Sequence, residues 1–347
     1  AGANIIGHNM RGADSAGVNV MVPGTRVESI LGVARIRDFS VATEVLQAKI
    51  MTFVNQIAEI VHGVVNEYCG ATNKNNGEMF LIVWRVDPSE KPAARTAEMS
   101  IVAFAKVVAA VHRSSTLATY RYHPGLQQRL GKGCRVSVSF GLHSGWAIEG
   151  AVGSEFKIDA SYLSPNVTLA MSVERATLTY DVPILAAESV VSECTRGIAS
   201  KCRRIDTVLI TGCTSPMHLF SVDLDVLAAT VDERPPKIRW STRQRFKARQ
   251  FLEAEKLRNL DLGLDMAVVF EQDPTISAMR RRYTTDFVER YNMGFQNYVE
   301  GEWSVAGRML QQVLEYFEDG PALELLRFMK VPFNFKAPPT WTGTREL

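Results

Sequence analysis

The stretch from Val27 to Trp84 constrains the fold most, because it sets a strand, a helix and a hairpin in fixed order. Val27 to Ile36 is an apolar run of strand length that breaks into a charged turn at Arg37-Asp38. From Val41 to Val65 apolar residues recur at helical spacing (Leu46, Phe53, Val54, Ile57, Val61), which predicts one long amphipathic helix lying on a sheet. Gly70 ends it. Lys74-Asn75-Asn76-Gly77-Glu78 then predicts a tight hairpin turn, since Asn-Gly accepts the positive φ such turns need. Met79 to Val83 is the returning strand.

The rest of the chain continues in the same manner. Pro92 and the Ala/Val-rich run to His112 predict a second helix. Arg135 to Leu142 alternates as a strand, and Gly141 and Gly145 are expected to turn it into a further strand from Trp146 to Val152. A helix over Pro165 to Thr177, a short strand at Pro183 to Leu185 and a short helix over Glu188 to Cys194 follow. Val208 to Ile210 and His218 to Val222 form a final hairpin. Irregular alternation with several hairpins predicts an α+β class with a mixed or antiparallel sheet and flanking helices. The division expected is a Gly-rich extended lead-in over 1–24, a main domain over 25–225, a linker over 226–240 around Pro235-Pro236, and an all-α C-terminal extension over 241–347. Within that extension, helices are expected at Ser241 to Leu260, Ile276 to Asn292, Trp303 to Phe317 and Pro321 to Met329. Tyr298 to Leu314 has the spacing of a single tetratricopeptide-like unit, which cannot stand alone and is expected to pack on the main domain or on a partner.

Composition narrows the class of function. With 347 residues, 46% hydrophobic and 22% charged, the chain is an ordinary globular protein, and a net charge of +2 gives no field that draws nucleic acid or acidic lipid. The five cysteines form no CxxC pair and read as reduced intracellular thiols. The longest apolar run, Ile101 to Val111, is too short to span a bilayer. The chain opens at Ala1 without a methionine, so a longer parent polypeptide is expected.

Separate blocks of sequence, in order, carry a resemblance to the class III nucleotide cyclases over about Val22 to Asp223. Gly32 to Phe39 resembles that family's Phe-x-Asp-Ile-x-x-Phe strand, and Lys74 to Glu78 its Lys-x-x-Gly-Asp hairpin. Gly141-Leu142-His143-Ser144-Gly145 and Gly150-Ala151-Val152-Gly153 are close to Gly-Ile-His-x-Gly and Gly-x-Val-Gly. Val167 to Glu174 matches Val-Asn-x-Ala-x-Arg-x-Glu. The wording of Ala42 to Gln47 and of Lys157 to Pro165 is most similar to protist members. The resemblance implies a ferredoxin-like core, cyclic-nucleotide signalling, a homo- or heterodimer of cyclase domains or a larger assembly, and a ciliary, flagellar or cytosolic membrane-side setting.

Cyclisation of ATP or GTP, a phosphorus–oxygen lyase reaction, needs Mg²⁺ or Mn²⁺ held by paired carboxylates, with an Asn and an Arg from the other subunit. The resemblance places Arg35 at the first metal-carboxylate position and Glu78 at the second. Thr168 stands where the ribose-orienting Asn would be, and Ser172 where the charge-stabilising Arg would be. A guanidinium cannot ligate a metal, and losing one preorganised charge contact costs about 3–4 kcal/mol of barrier. Thr211-Gly212-Cys213 lacks the triphosphate-binding lysines of similar proteins. Lys74 remains at the base-reading position, with Ser161 where an adenine-selective Asp would be. Since the substitutions fall in both halves of the composite site, the chain reads as a pseudoenzyme, a structural or regulatory subunit with no resident cofactor. Two alternatives stay open: a weak cyclase using Glu78 as a metal ligand with Mg²⁺ or Mn²⁺, and a nucleotide sensor that binds without converting.

Plainer readings stand beside these. Arg35 is expected to ion-pair with Asp38 or Glu78, Glu78 and Lys74 to be solvated turn residues, and His143 to be a satisfied structural histidine. Trp146 divides evenly between a dimer face and the core. The basic run Arg239, Arg243, Arg245, Lys247 and Arg249, with Trp240, Phe246 and Phe251, reads as a solvated interdomain helix because Glu253 and Glu255 follow. Met293, Phe295, Tyr298, Trp303, Met309 and Phe317 read as core.

Overall fold

The computed structural model describes residues 22–86, 94–154, 156–211, 213, 215–233, 241–261 and 263–347. The lead-in through residue 21, Pro92, the Pro235-Pro236 pair, Arg239, Trp240 and Gly212 lie outside the described residues.

Strand β1 (Thr25–Ile36) is the axis of the fold. Its middle is buried on both faces: Ile30 and Ala34 enter one core, and Leu31 and Val33 enter another. That is why the run is continuously apolar and not alternating. Helices α1 (Phe39–Leu46) and α2 (Ile50–Glu67) follow. The single helix expected over Val41 to Val65 is broken between them by the 3₁₀ turn Gln47–Lys49, where Gln47 takes φ 48°. No glycine or proline announces the break. The hairpin of β2 (Ala71–Asn75) and β3 (Met79–Arg85) forms as expected. Beside it runs α3 (Ala94–Arg113).

Strand β4 (Val138–Ser154) runs unbroken through Gly141 and Gly145, which correct the turn expected there. At Gly141 the glycine serves close approach: a Cβ would lie 2.4 Å from the Glu174 backbone N and 2.7 Å from the Ala170 O. Strand β5 (Lys157–Leu163), not foreseen, pairs antiparallel with the far half of β4. Helix α4 (Pro165–Tyr180) then covers β4, followed by β6 (Ile184–Ala187), β7 (Cys202–Leu209) and β8 (Met217–Val222). The sheet order is β2-β3-β1-β4-β6-β8-β7-β9, with β5 on β4. Pairing is antiparallel except for β4 with β6 and β7 with β9. The class is therefore α+β with a mixed sheet.

Helix α5 (Thr242–Asp261) is largely exposed, including Arg243, Arg245, Lys247, Arg249, Phe246 and Phe251. It is followed by α6 (Met266–Gln272). The helix expected over Ile276 to Asn292 is two, α7 (Pro274–Arg280) and α8 (Thr285–Val299). The second starts at Thr284, whose hydroxyl accepts from Phe287 N. Helices α9 (Trp303–Val313) and α10 (Gly320–Lys330) complete the tail. Tyr298, Trp303, Leu310 and Leu325 share one core with Leu185, Ile205, Val208 and Leu219, so the tail packs on the sheet. Met293, expected in that core, is 51% exposed. The chain ends in β9 (Arg345–Glu346), parallel to β7. Among the described residues no helix is long and apolar enough to cross a membrane.

Candidate functional site

Arg35 sits near the end of β1 between Met79 on β3 and Ser139 on β4. Its Nη1 donates to Glu78 Oε1, its Nη2 lies 3.5 Å from the Met79 sulfur, and its Nε donates to Glu174 Oε2 at 2.8 Å. The second Glu174 oxygen accepts from Ser139 Oγ at 2.7 Å. Glu174 comes from α4 and is fully buried, whereas Glu78 keeps contact with solvent. The close approach at Gly141 is what drops α4, and with it Glu174, onto the sheet. Burial alone would lower the Arg35 pKa, but Glu174 and Glu78 outweigh it and hold the guanidinium above its ordinary value. The arrangement is one fixed cation bridging two carboxylates. Asp38, offered as a partner by sequence, instead takes a left-handed turn at the start of α1 and makes no ion pair with Arg35 among the described residues.

Among the described residues, none of the other expected positions hydrogen-bonds to Arg35, Glu78 or Glu174. Thr168 and Ser172 are one turn apart on α4, the first exposed and the second half-buried. Lys74 is exposed on β2 and lines a 360 Å³ cleft with Lys157, Asp159 and Tyr162 from β5. Ser161 is buried in register with Gly150 and does not line that cleft. Cys213, from the loop expected to lack triphosphate lysines, lines a separate cavity of 470 Å³ with His143 and Ser189. The His143 ring nitrogens lie 3.1 Å from Asn166 Oδ1 and 3.3 Å from Ser189 Oγ. Burial lowers the His143 pKa, with the Asn166 bond opposing it, and the ring braces β4, α4 and the segment after β6. Trp146 is half-buried under Arg26, whose guanidinium lies 5.1 Å from the ring centre.

No protein-family model matches the chain, and no curated protein does. Solved structures it resembles include adenylyl and guanylyl cyclases. One is a bacterial light-regulated adenylyl cyclase, at 17% identity and TM-score 0.46, covering 69% of this chain. The chain spans 60% of that protein's length. Another is the adenylyl cyclase CyaB from P. aeruginosa, at 18% identity and TM-score 0.44, over 62% of this chain and 100% of that one. A third is the guanylate cyclase domain of RhGC from Catenaria anguillulae, at 15% identity and TM-score 0.42, over 56% and 96% respectively. None of these likenesses transfers an activity to this chain.

A divalent ion, implied by the cyclase resemblance, does not fit the residues at Arg35. Mg²⁺ demands near-octahedral oxygen ligation, yet the carboxylates gathered here are engaged by a guanidinium, and one is also closed by Ser139. Among the described residues no group of three or more His, Cys, Asp or Glu is placed to hold a metal. Sequence reasoning matched Glu174 to a family motif without giving it a role, and it did not see Ser139. The signal for Glu174 was a lone acidic residue on the apolar face of a helix, a position that calls for a buried partner.

Proposed function

We propose that the chain is a cyclase-homology module that does not convert nucleoside triphosphates and acts as a structural or regulatory subunit, in a dimer or a larger assembly. The observation that carries this is that Arg35, standing where the resemblance expects one metal carboxylate, engages Glu78, which stands where it expects the other, while Glu174 holds the guanidinium in place. Thr168 and Ser172 support it, because neither supplies the amide or the guanidinium that positions and stabilises the transferring phosphate. A weak cyclase relying on Glu78 would have to give up the Arg35–Glu78 pair and hold a divalent ion beside a guanidinium that Glu174 keeps in place.

Mn²⁺ titration followed by electron paramagnetic resonance, with and without ATP, tests this reading. The expected result is no stoichiometric protein-bound Mn²⁺ that depends on Glu78. Tight binding abolished by Glu78→Ala overturns it. One observation favours a second reading, a sensor that binds without converting: Lys74 lines a 360 Å³ cleft and has no ion pair among the described residues, while Lys157 beside it is paired with Asp159 at 2.9 Å. Calorimetric titration with ATP, GTP and their cyclic products separates the readings, since a sensor gives saturable heat that Lys74→Ala removes.

A further inference from the structure

Between Glu98 and Glu149 the chain carries no aspartate or glutamate, yet it carries Lys106, Arg113, Arg121, Arg129, Lys132 and Arg135. Acids from elsewhere in the fold answer three of these cations. Asp273 lies 2.6 Å from Lys106, Asp232 3.0 Å from Arg113 and Glu44 2.8 Å from Arg129. Arg121, Lys132 and Arg135, all in the segment that joins α3 to β4, have no ion pair among the described residues. The surplus of positive charge is therefore local, in a chain whose net charge is only +2.

The fold gathers the two arginines. Arg121 Nη2 donates to the His112 carbonyl at the end of α3, at 3.3 Å. The Arg121 carbonyl accepts from Gln127 Nε2 at 2.7 Å and lies 3.8 Å from the sulfur of Cys134, the residue before Arg135. The charges feel each other: burial and Arg135 push the Arg121 guanidinium below its ordinary value, and burial with both arginines holds the His112 imidazole low. Asp38 shares a 30 Å³ crevice with Arg135 but makes no ion pair with it among the described residues. Arg121 Nε and Nη1, and every nitrogen of the Arg135 guanidinium, lack a hydrogen-bond partner among the described residues and stay open to solvent. Two like charges held together at partial burial raise the free energy of the fold, and an anion between them lowers it.

We propose that Arg121 and Arg135, with the exposed Lys132, form a binding site for a phosphate dianion, either free or carried as a monoester. A carboxylate brings one negative charge and leaves one guanidinium unanswered. A phosphate dianion answers both, and its oxygens match the planar fork of each guanidinium. Lys132 contributes an ammonium on a flexible stem. Bound there, the anion ties the segment before β4 to the end of α3.

Calorimetric titration of the full chain with inorganic phosphate and with glycerol phosphate tests the proposal, at fixed ionic strength and about pH 8, where both are dianions. The expected result is saturable single-site binding of at least one of them, ~10-fold or more tighter than acetate, the factor a further charge-assisted hydrogen bond supplies. Inorganic phosphate binding alone marks the free ion as the ligand, and glycerol phosphate binding alone marks an ester-borne group. Arg135→Gln breaks no hydrogen bond or ion pair among the described residues, so it is expected to weaken binding by ~10-fold with an unchanged melting temperature. Arg308→Gln, which removes an exposed cation on α9, leaves binding unaltered. Absence of saturable heat with either compound, affinity no better than acetate's, an unaltered Arg135→Gln isotherm, or an equal loss in Arg308→Gln overturns the proposal.

Discussion

At the scale of single residues, the fate of Arg35 rests on Glu174. Arg35→Met leaves a fully buried carboxylate facing Ser139 with no countercharge, and removing one partner of such a pair costs about 3 kcal/mol. Urea unfolding is expected to show that loss, and Glu174→Gln in the same background to recover part of it. Strict additivity in the double-mutant cycle would contradict the coupling. The Arg35–Glu78 pair was legible in the sequence because a strand and the hairpin beside it bring those positions together. Glu174 was not, because spacing alone does not say which turn of a distant helix lands on which strand residue. A second residue contributes to acid sensitivity. Burial, with Arg135 and Arg121 nearby, lowers the His112 imidazole from 6.5 to about 4. The unfolded chain thus takes up a proton in a window where the folded chain does not. This contribution is intact above about pH 6.5 and falls by roughly 3 kcal/mol as pH drops through the folded value. His112→Gln is expected to flatten part of the stability slope between pH 7 and 4.5. Burial also holds His143 low, which acts in the same direction. An unchanged slope would contradict the assignment.

At the scale of elements, glycines separate contact from flexibility. Gly141 lets α4 lie against β4, so Gly141→Ala must lift the helix and is expected to cost about 2 kcal/mol, as overpacking does. Gly63, within α2, has nothing within 4 Å of its would-be Cβ, and Gly63→Ala is expected to gain about 0.5–1 kcal/mol from helix propensity. Thermal unfolding of the pair checks both signs. The same glycines explain which elements were readable. β1, the hairpin and α4 declare themselves by apolar pattern and turn chemistry. The unbroken course of β4 was missed because a glycine needed for close packing looks, in sequence, like one needed for a turn. The break at Gln47 carries no breaker residue, and the division between α7 and α8 rests on the Thr284 cap within a run that keeps helical spacing.

At the scale of the whole molecule, the tail and the sheet are bound into one structure. Arg345 on β9 holds the buried Asp206 at 2.6 Å and Glu324 at 2.9 Å, and donates to the Tyr180 hydroxyl at 2.8 Å. Deleting residues 331–347 removes that guanidinium and the Trp341 ring packed on Tyr298 and Trp303. The expected outcome is a lower melting temperature with new binding of a hydrophobic dye, and an unaltered melt would contradict the shared core. The central claim concerns the whole chain as a non-converting module, and turnover tests it most directly. Purified protein is incubated with ATP or GTP and Mg²⁺ or Mn²⁺, and cyclic nucleotide is quantified by mass spectrometry against an empty-vector preparation. The account expects no product above that control; clear turnover that Glu78→Ala abolishes would contradict it.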